Sequence, residues 1–349
     1  MQVRISRCSR AASVVAASLL GATMLSGCAA LALRPGGSDL VLYNGQHTET
    51  TDALVAAFER ATGIQVSIRS NDEDVLAEQI VNESSGAQPD LVYTENTPVL
   101  EFLEHRHLLA GVNPTTLHEI PSRYDSPGGY WLGVSARVSV LVFNTGLVER
   151  SELPRSILDL ASPAWRGKLA IAPQETDFQP IVTAVEHAYG KKAALRWLEG
   201  IRSNSQAHEY QDNEALTAAV NSGQAAIGII NHYYWYRLRS EIGAGSMHSA
   251  IADFAPGDPG YVVDVSGAAI LRSTHDMRDA QRFLAFLASP EGQHIIALSD
   301  SFEYPLRPGI RAARALPPFA GLRPYPITLA QLGDGGEAVF LMRRAGMLP

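Results

Sequence analysis

Cysteine is nearly missing from this chain. Of 349 residues only Cys8 and Cys28 are cysteine, so everything beyond residue 28 is without a thiol. That excludes disulfides, cysteine–metal sites and a cysteine nucleophile from the folded body. The signatures of catalysis are missing too. The chain has no H-E-x-x-H, no P-loop, no G-x-G-x-x-G and no G-x-S-x-G, and nothing marks a positioned nucleophile and base. No catalytic residue is expected, and the protein is not expected to be an enzyme. Beyond the first 27 residues no apolar run approaches the roughly 20 residues that a membrane-spanning helix needs. Basic charge is scarce as well. With Arg4, Arg7 and Arg10 set aside, 25 Lys and Arg face 36 Asp and Glu, a net charge of about −11. Nucleic-acid phosphates would be repelled, which argues against such a partner.

The N-terminus carries a processing signal. Three arginines precede an uncharged, mostly apolar run from Ala11 to Leu25, so residues 1–27 read as a signal peptide. The run closes on Leu25-Ser26-Gly27-Cys28, which resembles the lipobox of bacterial lipoproteins. On that reading Cys28 is lipidated, and residues 28–38 link a soluble body to the cell membrane. An ordinary secretory signal is the alternative.

From residue 39 the pattern alternates. "DLVLYNG", "IQVSIRS" and "PDLVYTE" read as strands, and the segments "DALVAAFERATG", "EDVLAEQIVNES" and "TPVLEFLEHRHL" read as helices. A second set follows the Gly- and Pro-containing region near Ser126 to Gly129. It has strands at Val138 to Asn144, "KLAIAP", "AAIGII" and "VDVSGAAILR", with helices at Ile181 to Tyr189, Ala193 to Ile201, Asn213 to Ser222 and "DAQRFLAFLAS". Such alternation predicts an α/β fold built on doubly wound parallel sheets. The expected architecture is two α/β lobes joined by hinge strands, with a ligand cleft between them. One lobe would comprise residues 39–137 and about 265–318, the other 138–264 and about 319–349. Ligands of open α/β sheets sit beyond the carboxyl ends of strands, so residues just after strands are the ones to inspect.

Three strand ends carry candidates. His47 follows "LVLYNGQ", Glu95 follows "LVYT", and Tyr233 and Tyr234 follow "IGIIN". Taken singly, each is more often a polar loop residue, a helix-terminus charge or a packing ring. Together they form a hard oxygen and nitrogen set. Adjacent residues in the first turn of a helix are about 100° apart, so both phenols can lean toward one point. A phenol ionises near pH 10, and losing its proton near neutrality needs a strong cation beside it. Ferric ion is such a cation. One carboxylate and two phenolates balance its charge, and neutral His47 completes four ligands. Zinc would be better served by Cys and His, and calcium by more carboxylates and carbonyls. By contrast, His105 and His107 in "HRH" read as a solvated helix end.

The segments "YNGQH" (Tyr43 to His47), "VYTEN" (Val92 to Asn96) and "INHYYW" (Ile230 to Trp235) resemble motifs of bacterial ferric-ion-binding proteins. "DPGYVVDVSGAAIL" and "EYPLRP" resemble that family too, and the likeness runs from about Leu40 to about Pro308. The family supplies the solute-binding component of iron ABC importers and has a periplasmic-binding-protein fold. The resemblance implies iron transport, a permease and ATPase as partners, an extracytoplasmic location and a monomer. It implies that His47, Glu95, Tyr233 and Tyr234 hold Fe3+, with a synergistic carbonate or phosphate. Asn213 and Asn231 match amide positions near that anion, and Asn96 stands where a Gln is common. Arg137 resembles a basic residue of some members. The departure is "PQETDFQ": Glu175, Thr176 and Asp177 fall about where the family often places Ser, Gly and Ala. Two carboxylates there would repel phosphate, so the anion is absent, or smaller, or replaced by one of these carboxylates on the iron.

Two rival readings use the same residues. A binder of an organic cation such as a polyamine would cage it with Trp235, Tyr236, Glu175 and Asp177. An extracytoplasmic metal-dependent hydrolase would need a general base beside open metal positions, for which Glu175 or Asp177 could serve.

Overall fold

The computed structural model describes residues 39–82 and 89–349. The signal peptide, Cys28 and its linker, and the end of "EDVLAEQIVNES" therefore lie outside the described residues.

Strand β1 (Leu40–Asn44) is apolar at every position but its last, and almost wholly buried. This is the character of a strand covered on both faces. It pairs in parallel with β2 (Val66–Ser70) and β3 (Leu91–Thr94). Between β1 and β2 runs α1 (Thr48–Thr62), which buries Leu54, Val55 and Phe58. It stops at Gly63, whose left-handed backbone lets its N–H reach the Glu59 carbonyl. Helix α2 (Glu73–Asn82) follows β2, and α3 (Thr97–His105), with Pro98 in its first turn, follows β3. Short β4 (Leu109–Ala110) and α4 (Pro114–Leu117) lead to β5 (Trp131–Asn144), whose 14 residues are all buried.

The second set comprises β6 (Leu169–Ala170), α5 (Gln179–Tyr189), α6 (Lys191–Ser205), α7 (Asn213–Ser222), β7 (Ile227–Asn231), α8 (His232–Ile242) and β8 (Ser249–Ala252). The chain then passes through β9 (Val263–Leu271), α9 (Met277–Ala288), α10 (Pro290–Leu298) and β10 (Tyr304–Pro305), and ends in α11 (Leu329–Leu332) and α12 (Gly336–Arg344).

The strands run in the order β2-β1-β3-β9-β5-β7-β6, with β4 on β9 and β8 and β10 on β5. The α/β architecture expected from the alternation is present, but the sheet is mixed rather than parallel. Strands β3–β9, β9–β5 and β5–β7 pair antiparallel. The cause is the length of β5, which begins at Trp131, seven residues before the expected Val138. Its first half, to Val138, pairs with β9, and its second half, from Ser139, pairs with β7 and β8. Antiparallel pairs need no crossover helix, so one long strand and its return tie the two halves of the sheet together. Arg137, opposite Asp264, and Ser139, opposite Asn231, stand at the changeover. The ends of β1, β3 and β7 point toward that same region.

Candidate functional site

The turn after β1 is tightly specified. The Asn44 side chain donates to the Gln46 carbonyl at 2.8 Å and accepts from Gln46 N and from the Thr51 hydroxyl. Gln46 accepts from His47 N at 2.8 Å and donates to Glu303 at 3.3 Å. Gly45 is required by close approach. A Cβ on it would lie 2.8 Å from the Cβ of Glu73, inside contact distance. The "YNGQH" turn is thus held against the start of α2, and His47 is delivered as the N-cap residue of α1.

Glu73 has a second task. Its carboxyl accepts from Glu95 N at 2.8 Å, from Asn96 N at 3.0 Å and from the Asn96 side chain at 3.0 Å. It fixes the turn after β3 and so aims Glu95. Burial pushes this carboxyl up to about 7, against the pull of its bonds from Asn96.

Tyr233 and Tyr234 occupy the first turn of α8, just after the N-cap Asn231, as the sequence predicted. Their ring centroids are 4.1 Å apart. Both hydroxyls donate to one oxygen, Asp177 Oδ2, at 3.3 Å and 2.9 Å, and Tyr233 also reaches Glu95 Oε2 at 3.4 Å. The His47 ring packs edge-on to Tyr233 with centroids 4.9 Å apart, and its Nδ1 lies 3.2 Å from Glu95 Oε1. The four strand-end candidates therefore converge, and Asp177 joins them.

Arg137 closes the cluster from the strand junction. Its guanidinium is buried, with Nη2 paired to Glu303, and Nη1 lies 3.5 Å from Glu95 and 3.7 Å from Asp177. Asn96 donates to the Thr176 hydroxyl at 3.0 Å and to Asp177 at 3.2 Å. Asn213 donates its side-chain amide to Asp177 at 3.3 Å and its backbone N–H to Glu175 at 3.4 Å. Asn231 is not drawn in. It caps α8 and pairs with Ser139, and among the described residues its side chain makes no hydrogen bond to the carboxylates.

The protonation pattern follows from burial. His47 is pushed down to about 4 by burial, with Arg137 and Arg237 adding to the effect. Burial and the neighbouring acids Asp177, Glu73 and Glu303 lift Glu95 well above the ordinary carboxylate range, despite Arg137. Burial, then Asp177 and Glu95, hold both phenols well above their usual value. Glu303 goes the other way. Burial alone would raise it, but the Arg137 and His47 charges and the hydrogen bonds from Ser135 and Arg137 together outweigh burial and pull it down. Glu175 is pushed up to about 8 by burial and by Asp177.

Among the described residues, no three of His, Cys, Asp and Glu form a metal-holding group by themselves. The convergence is complete only when the phenols are counted, which points away from zinc and calcium. The donor set fits a small, hard cation. His47 is neutral and side-on accessible at only 9%, and its Nε2 is buried with no hydrogen-bond partner among the described residues. A surface cavity of about 990 Å³ adjoins the cluster at His47 and Arg237 and is lined also by Glu49, Glu241, Glu291 and His294.

The aromatic cage for an organic cation does not form. Trp235 donates to the Ser249 carbonyl, and Tyr236 stacks on Phe302, so both rings serve packing away from Glu175 and Asp177. His105 is an exposed residue near Glu101 and Asp334, as expected of a solvated helix end. Sequence reading missed Glu73, Glu303 and Arg237, the last 3.4 Å from His47. Glu303 lay inside the quoted "EYPLRP", but nothing in the sequence paired it with Arg137. Glu73 looked like an ordinary acidic helix start.

Comparison with known proteins agrees with this geometry. Residues 87–319 match the bacterial extracellular solute-binding protein family. The Fe(3+)-binding periplasmic protein of Serratia marcescens is 34% identical over 309 residues, covering 88% of this chain and 90% of that protein. The crystal structure of iron-bound HitA from Pseudomonas aeruginosa superimposes with a TM-score of 0.84 at 40% identity, covering 89% of this chain and all of that one. A Trichodesmium protein (IdiA, FutA) in complex with iron and citrate gives a TM-score of 0.77 at 27% identity, covering 88% of this chain and 99% of that one.

Proposed function

This chain belongs to the bacterial extracellular solute-binding proteins, among their ferric-ion-binding members, and from that premise we propose that it captures ferric ion outside the cytoplasmic membrane and hands it to an ABC importer. The observation that carries this reading is the meeting of His47, Glu95, Tyr233 and Tyr234, which come from three separate strand ends, in one buried cluster with an unsatisfied imidazole nitrogen. The two phenols, the carboxylate and the imidazole would ligate the ion directly. Two positions of an octahedral ion are then left for further donors.

The ligands come from both sides of the junction at Arg137. His47 and Glu95 follow strands of the first sheet half, and the tyrosines follow β7 of the second. An ion bound between residues 39–137 with 265–318 and residues 138–264 with 319–349 would favour a closed cleft, since only closure brings all four within reach. Anchoring through a lipid on Cys28, action as a monomer and delivery to a permease–ATPase partner complete the reading. A synergistic carbonate or phosphate, or water, would take the two remaining positions.

The test is a titration of the purified protein with ferric citrate, followed by visible absorption. Phenolate-to-iron charge transfer should give a coloured band that saturates at one iron per protein. A protein that stays colourless and retains no iron would refute the assignment.

A further inference from the structure

We propose that His232 is a positioning residue that sets the width of the gap the captured ion enters, and with it the preference for a small ion over a larger one of the same charge. The inference rests on the ferric reading above.

His232 opens α8, one residue before the first phenol, and is buried. Its Nδ1 lies 3.3 Å from Val138 N, and its Nε2 lies 2.9 Å from the Phe302 carbonyl oxygen. A backbone N–H only donates and a carbonyl only accepts, so Nδ1 carries the lone pair and Nε2 the proton. The ring therefore joins α8 to two places at once. Val138 stands on β5 where that strand passes from β9 to β7. Phe302 lies just ahead of β10, which pairs with Ser135 and Ala136 in the first half of β5.

The far partner of this bridge is strained. Phe302 has a φ of 53°, a left-handed conformation that a bulky residue rarely adopts. Such a backbone persists where its surroundings over-determine it, and it clusters at ligand clamps. Here the Phe302 carbonyl accepts from His232, and its ring stacks on Tyr236, one turn further along α8, with centroids 5.8 Å apart. Tyr304 stacks on His232 itself at 5.0 Å. Between them Glu303 turns into the cluster and pairs with Arg137.

Glu303 also carries the bridge to the other half of the site. It accepts from the Gln46 side chain, and Gln46 in turn accepts from His47 N. A path therefore runs from His47 through Gln46, Glu303, Phe302 and His232 to Tyr233. The direct contacts between the two halves are different in kind. Tyr233 to Glu95 at 3.4 Å, and the His47 ring against Tyr233 at 4.9 Å, lie where the ion would sit. Loading remakes them. The path through His232 uses none of the atoms that would bind the ion, so it stays in place and fixes how far the phenols stand from His47 and Glu95. Small hard ions take oxygens at about 2.0–2.1 Å and larger ones at about 2.3–2.6 Å, and selectivity between them follows the size and flexibility of the site. A gap pinned from outside favours the small ion, and a gap free to widen discriminates less.

The test compares ferric ion with terbium(III), a larger ion of equal charge that also takes oxygen donors. Wild type, His232→Gln and His232→Leu would each be titrated with both. Iron is read by the visible band and terbium by luminescence sensitised by the tyrosines. Wild type should hold iron and exclude terbium. His232→Leu fills the space but makes neither hydrogen bond. It should lose about 10- to 100-fold of the preference for iron over terbium, and it should give up iron faster to a competing chelator. His232→Gln, whose amide can still donate to the Phe302 carbonyl, should fall between the two, and it carries the test if the leucine variant does not fold. Urea unfolding of the iron-free proteins separates this from a merely structural role, which would lower stability and leave the preference unchanged. Variants that exclude terbium as wild type does, or a wild type that holds both ions equally well, would overturn the role of His232 while leaving the ferric reading intact. No iron uptake by wild type would overturn both.

Discussion

Iron capture by this site should be strongly coupled to proton release. Both phenols are held protonated well past their ordinary value by burial and by Asp177 and Glu95, so each must give up a proton when it ligates. Glu95, lifted by burial and neighbouring acids, releases another over the range where it is still protonated. His47, pushed down to about 4, contributes none above that pH. Loading should therefore expel between two and three protons, and affinity should rise roughly 100- to 1,000-fold per pH unit through the neutral range. Each factor of ten corresponds to about 1.4 kcal/mol. The sign is fixed: acid opposes loading and favours release. The assay is loading from a ferric chelate of known protonation in weak buffer with a pH indicator, corrected for protons taken up by the freed chelator. Tyr233→Phe should lower the count by one. Fewer than two protons expelled by wild type would refute the reasoning, because ligating phenolates could not then be forming.

Other consequences can be tested alongside. Tyr233→Phe with Tyr234→Phe should abolish the charge-transfer band and lower iron affinity by several orders of magnitude. Circular dichroism should stay unchanged, since the rings remain and only hydrogen bonds worth about 1 kcal/mol each are lost. Glu303→Leu leaves the buried Arg137 guanidinium without its main partner, and denaturant unfolding at neutral pH should show a loss of about 3–5 kcal/mol. Gly45→Ala forces a Cβ against Glu73 and should cost about 1–3 kcal/mol in the same assay. Glu73 has a folded value near 7 against 4.5, so its protonated form is favoured by folding. Its stabilisation is present below about pH 4.5 and lost as pH rises through 7. Relative to Glu73→Gln, wild type should therefore lose up to about 3 kcal/mol of stability between pH 5 and pH 8.

Residues whose role shows in local order were readable from the sequence. Tyr233 and Tyr234 follow an apolar strand directly, so helix geometry alone places both rings on one side, and their centroids lie 4.1 Å apart. His47 and Glu95 also sit just past strands, where α/β sheets gather ligands. The α/β class was legible for the same reason, since period and punctuation are local. What escaped depends on long-range pairing. Nothing in "EYPLRP" says that Glu303 will neutralise Arg137, 166 residues away. Nor does an acidic helix start reveal that Glu73 will be buried beneath Asn96. The β5 strand hid its first half because the sequence before Val138 carries Gly133, Ser135 and Arg137. Those residues pair with β9 only because the whole sheet covers them. Asp177 was visible as an anomaly, two carboxylates where an anion was expected, but its place between the phenols appears only in three dimensions.

The most direct measurement is an anomalous difference map at the iron edge from crystals of the loaded protein. The account predicts a single peak about 2.0–2.2 Å from both phenolic oxygens of Tyr233 and Tyr234, a Glu95 oxygen and a His47 ring nitrogen. A peak at any other place, or none in crystals of protein loaded with one iron per chain, would contradict it.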